Sequence, residues 1–582
     1  MKRLPVIVAS CILFSQAAAG AAEAWKPAAG PLMTRWAKDV SPDKAHLEYP
    51  RPQMVRSDWL NLNGLWQLDL GKADDSLPAG KDLPMQILVP FPVESALSGV
   101  MQRADRLWYR RTFQVPEKWK GQRVLLHFQA VDWESAVYVN GKPLGEHRGG
   151  YDAFSFDITD ALKPAGEQEL IVRVFDPTNS GSQPRGKQVN KPGGIMYTPT
   201  TGIWQTVWLE PVPAASIDRL VITPDVDAGQ LKVSMKWRAT TVGGEGAFEA
   251  LALDGDKEIA RGSASWDGEV ALKIPNPKLW SPDKPFLYGL RVKLTGGDQV
   301  ESYFAMRKIS LGKDDKGLLR LMLNNEIVFQ IGPLDQGFWP DGLYAAPTDE
   351  ALRYDIEVTK KLGFNMARKH VKIEPERWYY WCDKLGLLVW QDMPSGDNKT
   401  PESKAQFETE LHRLVEGFRN HPSIIMWVVF NEGWGQHDTP RYVETVKKWD
   451  PSRLVNNASG WTDAKVGDVL DIHNYPGPNA PPPQPDRAGV LGEFGGLGLG
   501  VDGHTWTKKT WGYEGTASSA DLTRRYEQLL QRVHGFRNSH ALSAAVYTQI
   551  TDVETECNGL MTYDRAVIKV DADKAATANR GK

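Results

Sequence analysis

Three cysteines in 582 residues rule out a disulfide framework as the basis of this fold. Cys382 and Cys557 are the two beyond the first 24 residues, and neither has a nearby His pair to make a zinc site. Cys382, between Trp381 and Asp383 in a helical stretch, reads as a packed thiol. Charge of one sign is also missing. With 69 Lys and Arg against 72 Asp and Glu, the net charge of −3 argues against nucleic acid as the main partner. Beyond the first residues there is no run of 18 apolar side chains, so no membrane span is expected in the mature chain. No Gly-x-Ser-x-Gly elbow and no closely paired histidines are present. Gly498-Leu-Gly500-Val-Asp-Gly503 has dinucleotide-like spacing, but His504-Thr-Trp-Thr-Lys-Lys509 follows instead of an amphipathic helix. A phosphate would find no helix N-terminus there. Neither a metal nor a cofactor is expected, and nothing in the sequence speaks to oligomeric state.

What the chain has in excess is aromatic: 22 Trp, beside 53 Gly and 39 Pro. Trp faces stack on the C–H faces of sugars and also fill large β-sandwich cores. The chain opens Met1-Lys2-Arg3, then a mostly apolar stretch to Phe14, then small residues to Ala24. A basic start, an apolar centre and Ala-rich cleavage options describe a secretory signal over 1–24, hence a periplasmic or secreted protein. Val8-Ala-Ser-Cys11 has the outline of a lipidation box, but Ile12-Leu-Phe14 continues the apolar run past it, so cleavage near Ala22 or Ala24 is the expectation.

The length asks for several domains. Residues 46–212 show short alternating segments (Arg123–Phe128, Ser135–Val139, Leu170–Phe175, Gly202–Leu209) and an Asn140-Gly141 hairpin signal, which predict a β-sandwich of jelly-roll type. In 213–311, Leu231, Val233, Met235 and Trp237 alternate with polar residues and Asp254-Gly255 marks another hairpin. A smaller, immunoglobulin-like sandwich is expected there. From 312 to 571 apolar strands near 326–332, 365–369, 387–391, 424–431, 454–458, 469–473, 490–493 and 544–550 alternate with helical stretches. Those stretches include Thr348–Leu362, Pro375–Leu385, Ser403–Arg419 and Ser519–Asn538. Eight such strands predict a (β/α)8 barrel. The small, polar segment 572–582 is expected to fray.

Two carboxylates carry the chemistry. Ile424-Ile-Met-Trp-Val-Val-Phe430 is long enough for a strand buried on both faces, yet it runs into Asn431-Glu432-Gly433-Trp434. Val490-Leu-Gly492-Glu493-Phe-Gly495 repeats the pattern. Acids at barrel strand ends stand where catalytic groups stand, and a pair of them suits glycosidic-bond hydrolysis. Glu432 would have to hold a proton near neutral pH, which burial and a neighbouring carboxylate favour, while Glu493 stays ionised.

The residues resemble the family 2 glycoside hydrolases, the group of β-galactosidases, β-glucuronidases and β-mannosidases, over nearly all of the mature chain. Leu107-Trp-Tyr-Arg-Arg-Thr-Phe113, Val137-Tyr-Val-Asn-Gly-Lys142 and Gly202-Ile-Trp-Gln-Thr-Val-Trp208 resemble the family's sugar-binding jelly roll. Asn276-Pro-Lys-Leu-Trp-Ser-Pro-Asp283 with Leu287-Tyr288 resembles its immunoglobulin-like domain. The resemblance implies Glu432 as acid/base, Glu493 as nucleophile, Asn431 as partner of a sugar 2-OH and Tyr475 as a contact of the nucleophile. Arg368 would fix the charge of Glu493. His370 follows it with only Lys369 between, one residue fewer than the family pattern, and is either a site residue or a solvated loop histidine. His473 is open between substrate contact and barrel packing, Asp392 between a sugar hydroxyl and Arg368, and Trp434 and Trp461 between subsite walls and rim packing. The implied activity is that of a retaining β-glycosidase acting on carbohydrate. Loops at 332–344, 394–400 and 476–485 would close one end of a cleft and favour exo action. A non-catalytic carbohydrate-binding protein on the same scaffold is the alternative. The Asn-x-Lys triplet that the resemblance associates with glucuronides is absent from the barrel region. Trp390-Gln-Asp392 is similar to the mannosidase branch, whose Gly-rich stretch after strand 2 is missing. β-Galactoside is the default, with mannoside, glucuronide and arabinoside as other specificities.

Overall fold

A computed structural model describes residues 25–73, 75–239 and 246–582. The leader over 1–24, with Cys11, lies outside the described residues. Two antiparallel sheets form the first sandwich. One has six strands in the order Met85–Val89, Gly64–Leu70, Arg106–Phe113, Gln168–Phe175, Glu134–Val139, Lys142–Arg148; the other has four, in the order Leu60–Asn61, Val207–Val212, Arg123–Phe128, Phe154–Asp157. Asn140 and Gly141 take φ of 51° and 78° at the predicted hairpin, the left-handed pair a tight two-residue turn requires. The stretch read as one strand over 202–209 is two, Gly202–Ile203 and Val207–Val212, on different sheets.

The central immunoglobulin-like sandwich packs a three-stranded sheet (Ala215–Asp225, Gln230–Ala239, Glu269–Lys273) on a four-stranded one (Lys257–Ser265, Ala247–Asp254, Tyr288–Leu294, Gln299–Phe304). Leu231, Val233 and Met235 point into its core, as the alternation predicts. A small sheet follows (Ile309–Lys313, Leu319–Leu323, Glu326–Ile327), whose Leu321 and Leu323 pack into the barrel interior beside Ile425 and Met426. The strand expected near 326–332 is therefore divided: 326–327 belongs to this sheet, and the barrel begins at Gln330.

The barrel strands are β1 (Gln330–Asp335), β2 (Met366–Lys369), β3 (Leu388–Asp392), β4 (Ile424–Val428), β5 (Leu454–Asn456), β6 (Val469–Asn474), β7 (Ala488–Gly495) and β8 (Ala544–Thr548). They pair in parallel in the order β5-β4-β3-β2-β1-β8-β7-β6. β3 and β4 are buried at every residue, which explains the unbroken apolar run of β4 and the three apolar residues that open β3 before Gln391 and Asp392. The helices are α1 (Asp349–Lys361), α2 (Glu376–Leu385), α3 (Pro401–Phe418), α4 (Thr439–Trp449), α5 (Ser519–Ser539) and α6 (Ala572–Asn579). Thr348 caps α1 through its side chain, and Thr400 and Ser403 form a capping box on α3 with Pro401 at its first turn.

The tail does not fray. Asp571 caps α6, its side chain accepting from the backbone N–H of Asp573 and Lys574. The helix buries Ala575, Ala576 and Asn579. Asn579 joins Tyr526 of α5 (2.7 Å) to the Leu362 carbonyl after α1 (2.7 Å), which places α6 between the helices flanking it in the ring.

Candidate active site

The carboxylates are aimed by two different devices. β4 ends at Val428, and the chain then turns sharply: Glu432 has φ 52° and Gly433 φ 84°. A non-glycine residue in the left-handed region carries strain. Here it is held by the Glu432 N–H donating to the Ser459 carbonyl at 2.8 Å. On β7, a register irregularity places Glu493 opposite His473 of β6. Gly492 precedes it because a Cβ there would stand 2.3 Å from Asp471 Oδ1 and 2.4 Å from Ser459 Oγ. Along β6 alternate residues share a face, so Asp471 and His473 both turn inward, and Tyr475 follows in the same phase.

Arg368 at the end of β2 is the hub and is fully buried. Its guanidinium donates to both oxygens of Asp392 (3.0 and 2.8 Å), to Glu493 Oε1 (3.0 Å) and to Asn431 Oδ1 (2.8 Å). The last contact fixes the Asn431 amide so that its NH2 faces the other way. Burial alone would lower the Arg368 pKa, but Asp392 and Glu493 raise it above its ordinary value, so it stays cationic. Asp392 is buried and its oxygens serve Arg368, His370 Nδ1 (3.0 Å) and the Val371 N–H (3.3 Å). Of the two roles open to Asp392 in the sequence, the structure shows the pairing with Arg368. His370 is likewise no solvated loop residue: it is buried, and burial with the charges of Lys187 and Arg368 holds its pKa well below the usual value.

Glu493 receives the Tyr475 hydroxyl on Oε2 at 2.5 Å, and His473 Nδ1 lies 3.6 Å from the same oxygen. Burial pushes its pKa up, but His473, Arg368, His370 and Lys187 overcome this and bring it down to about 2. Glu432 has another setting. Its side chain keeps 15 % exposure, and His473 Nδ1 lies 2.7 Å from its Oε1. Behind His473 stands a relay that the sequence reading did not single out. Ser459 Oγ donates to Asp471 Oδ2 (2.6 Å) and lies 2.8 Å from His473 Nε2. A hydroxyl already donating can only accept from the imidazole, so Nε2 carries a hydrogen and Nδ1 shares the proton facing Glu432. Burial would lower the His473 pKa; Glu493, Glu432 and Asp471 raise it above its ordinary value.

Each of Glu432, His473 and Glu493 offers one atom within 4.8 Å of the others, which brings the two carboxylates that close together. The same trio could ligate a metal ion, but Arg368 already sets a positive charge on Glu493. Trp461 is 61 % exposed with its ring 5.7 Å from that of His473, a free aromatic face beside Glu432. Trp434 is half-buried on the turn after Glu432. Also unforeseen is Tyr513, stacked on Tyr475 at 4.1 Å, from a loop without periodicity. A cavity of about 490 Å³ lies elsewhere, between the two sandwiches and α3, lined by Arg51, Arg56, His127 and Arg413. It holds none of these groups.

Three profiles match the chain in order: Glycosyl hydrolases family 2, sugar binding domain, over 56–198; Glycosyl hydrolases family 2 over 215–307; and Glycosyl hydrolases family 2, TIM barrel domain, over 346–476. A β-galactosidase of Thermoanaerobacter pseudethanolicus is 29 % identical over 63 % of this chain and 50 % of that protein. A β-glucuronidase of Bacteroides fragilis is 27 % identical over 60 % of this chain and 54 % of that protein. The chain thus spans about half the length of these curated relatives. Among solved structures, a β-galacturonidase from Eisenbergiella tayi bound to galacturonate superposes with a TM-score of 0.74 at 20 % identity, covering 92 % of this chain and 99 % of that one. At that identity the likeness is one of architecture.

Proposed function

We propose that this chain, which belongs to the family 2 glycosyl hydrolases, is a retaining exo-β-glycosidase that removes a terminal β-linked sugar by double displacement. The observation carrying this reading is the pair Glu432 and Glu493, which each place a carboxylate oxygen within 4.8 Å of the other's, with Glu493 also bonded to Arg368. A retaining pair stands about 5–5.5 Å apart and an inverting pair about 6.5–9.5 Å, because the latter must admit a water. Glu493, held ionised by Arg368 and Tyr475, attacks the anomeric carbon and forms a glycosyl-enzyme. Glu432 passes a proton to the leaving oxygen, then takes one from the incoming water as the second displacement proceeds. Asn431, its oxygen fixed by Arg368, presents its NH2 to the 2-OH. Trp461 walls the leaving-group side.

Stereochemistry tests the mechanism. Proton NMR of the nascent sugar, read before mutarotation, is expected to give the β anomer, and Glu493→Ala should abolish the covalent step while leaving binding. Initial appearance of the α anomer would refute it. We also propose export to the periplasm or medium, from the charged, apolar and small-residue succession of 1–24. N-terminal sequencing should then begin near Glu23 or Trp25; a retained Met1 or a lipid on Cys11 would overturn that.

A further inference from the structure

Four lysines are buried among the described residues: Lys187, Lys369, Lys372 and Lys569. Three are paired in the usual way. Lys369 meets Asp335 (2.7 Å) and Glu374 (2.9 Å), Lys372 meets Glu374 (2.9 Å), and Lys569 meets Asp552 (2.6 Å). Lys187 is 6 % exposed, yet its ammonium makes neither a hydrogen bond nor an ion pair among the described residues. Nor is it sealed away from solvent. The side chain is buried while its unpaired ammonium still reaches solvent, so the charge is free to meet an anionic group of a ligand.

Its place in the fold says where. Lys187 belongs to the first sandwich, on a segment that leaves that domain and lies over the barrel mouth. On one side the N–H groups of Arg185 and Gly186 both donate to the Ser395 carbonyl beyond β3, at 2.9 Å each. A Cβ on Gly186 would stand 2.5 Å from the Val371 carbonyl beyond β2. On the other side the ammonium is 5.8 Å from the ring of Tyr197. The Tyr197 hydroxyl is bonded to Gln336 beyond β1 and to Glu556 beyond β8. Lys187 is therefore bracketed by the C-terminal ends of β1, β2, β3 and β8, on the face where Glu493 stands. Its charge contributes to holding both Glu493 and His370 at low pKa.

Neither nearby carboxylate bonds it directly, although its charge is felt by Glu556. Glu493 is occupied by Arg368 and Tyr475. Glu556 is occupied by Tyr197 and by Asn558 Nδ2 at 2.8 Å. We propose that the Lys187 ammonium recognises a carboxylate on the terminal sugar, so that the site takes a β-linked uronic acid. This rests on the glycosidase reading and replaces the β-galactoside default. The absence of an Asn-x-Lys triplet from the barrel region had pointed away from uronides, but a lysine from another domain escapes a search confined to the barrel.

The test uses non-hydrolysable ligands, so that binding is read apart from turnover. Phenyl 1-thio-β-D-glucuronide and -galacturonide are titrated against the whole chain by calorimetry, each beside its neutral counterpart, the glucoside or galactoside. At least one uronide is expected to bind roughly 10–100-fold more tightly than its neutral partner, the range for a hydrogen bond to a charged group. In Lys187→Met and Lys187→Gln that ratio should collapse towards one. Equal or weaker binding of both uronides by the unmodified protein overturns the proposal without recourse to any variant. So does a ratio that survives in a folded variant. The two readings fail differently. Hydrolysis of aryl β-glycosides without uronide preference removes Lys187 and leaves the glycosidase. Uronide-selective, Lys187-dependent binding without hydrolysis of any aryl β-glycoside does the reverse.

Discussion

Removing the imidazole at position 473 should change when the enzyme works more than whether it works. His473 is bonded at one nitrogen to Glu432 (2.7 Å) and at the other to Ser459 (2.8 Å), which is tied to Asp471 (2.6 Å). The charged groups facing it are Glu432, Glu493 (3.6 Å) and Arg368 (3.4 Å), with Asp471 behind Ser459. Its pKa is raised, so the proton it shares with Glu432 is kept below that raised value and lost as pH climbs through it. A charge-assisted hydrogen bond is worth about 1.5–3 kcal/mol. At about 1.36 kcal/mol per unit, His473→Leu should move the high-pH limb of kcat/KM down by about 1–2 pH units. At pH values above the unshifted limb that is a loss of about 10–100-fold on alkyl glycosides, whose leaving oxygen needs the proton. Nitrophenyl glycosides should lose less, because their leaving group departs without help. Ser459→Ala, which removes only the anchor of the ring, should shift the limb in the same direction by less. Full pH–rate profiles on both substrate classes decide it. A fall uniform in pH and indifferent to leaving group would mean that His473 only packs.

Two further outcomes follow from the burial of particular groups. Arg368→Met leaves Asp392 and Glu493 uncompensated, and breaking a buried ion pair costs about 3–5 kcal/mol. The urea midpoint should fall accordingly, and an unchanged midpoint would show that the hub carries no stability. Deleting residues 571–582 removes the Asn579 bridge between Tyr526 and Leu362. The apparent Tm should drop by several degrees, at about 2–4 °C per kcal/mol, whereas an unaffected Tm would mean that α6 contributes nothing.

The sequence was most readable where local pattern and burial agree. The seven apolar residues up to Phe430 read as an interior strand, and a carboxylate at the end of one marked a candidate functional group. The period of two along 471, 473 and 475 was equally available, and it would have added Asp471 to the inward-facing set. Ser459 carried no such sign, because a serine in a turn is ordinary until the histidine beside it is known. The tail misled because Ala-Ala-Thr-Ala-Asn has too little apolar bulk to announce a buried face. Its interior location is decided by Tyr526 and Leu362, more than 50 and 200 positions away. Lys187 was invisible for the same reason, since its neighbours on the barrel follow it by well over a hundred residues.

The segment over 181–201 also bears on how such proteins diversify. A barrel whose rim is built from its own loops can trade its partner domains freely. This one cannot, because Tyr197 is bonded across to Gln336 and Glu556, and Arg185 and Gly186 to Ser395. Exchanging the first sandwich for that of a relative would alter the rim of the reaction chamber along with the appendage. The two domains are modular in outline but share one rim.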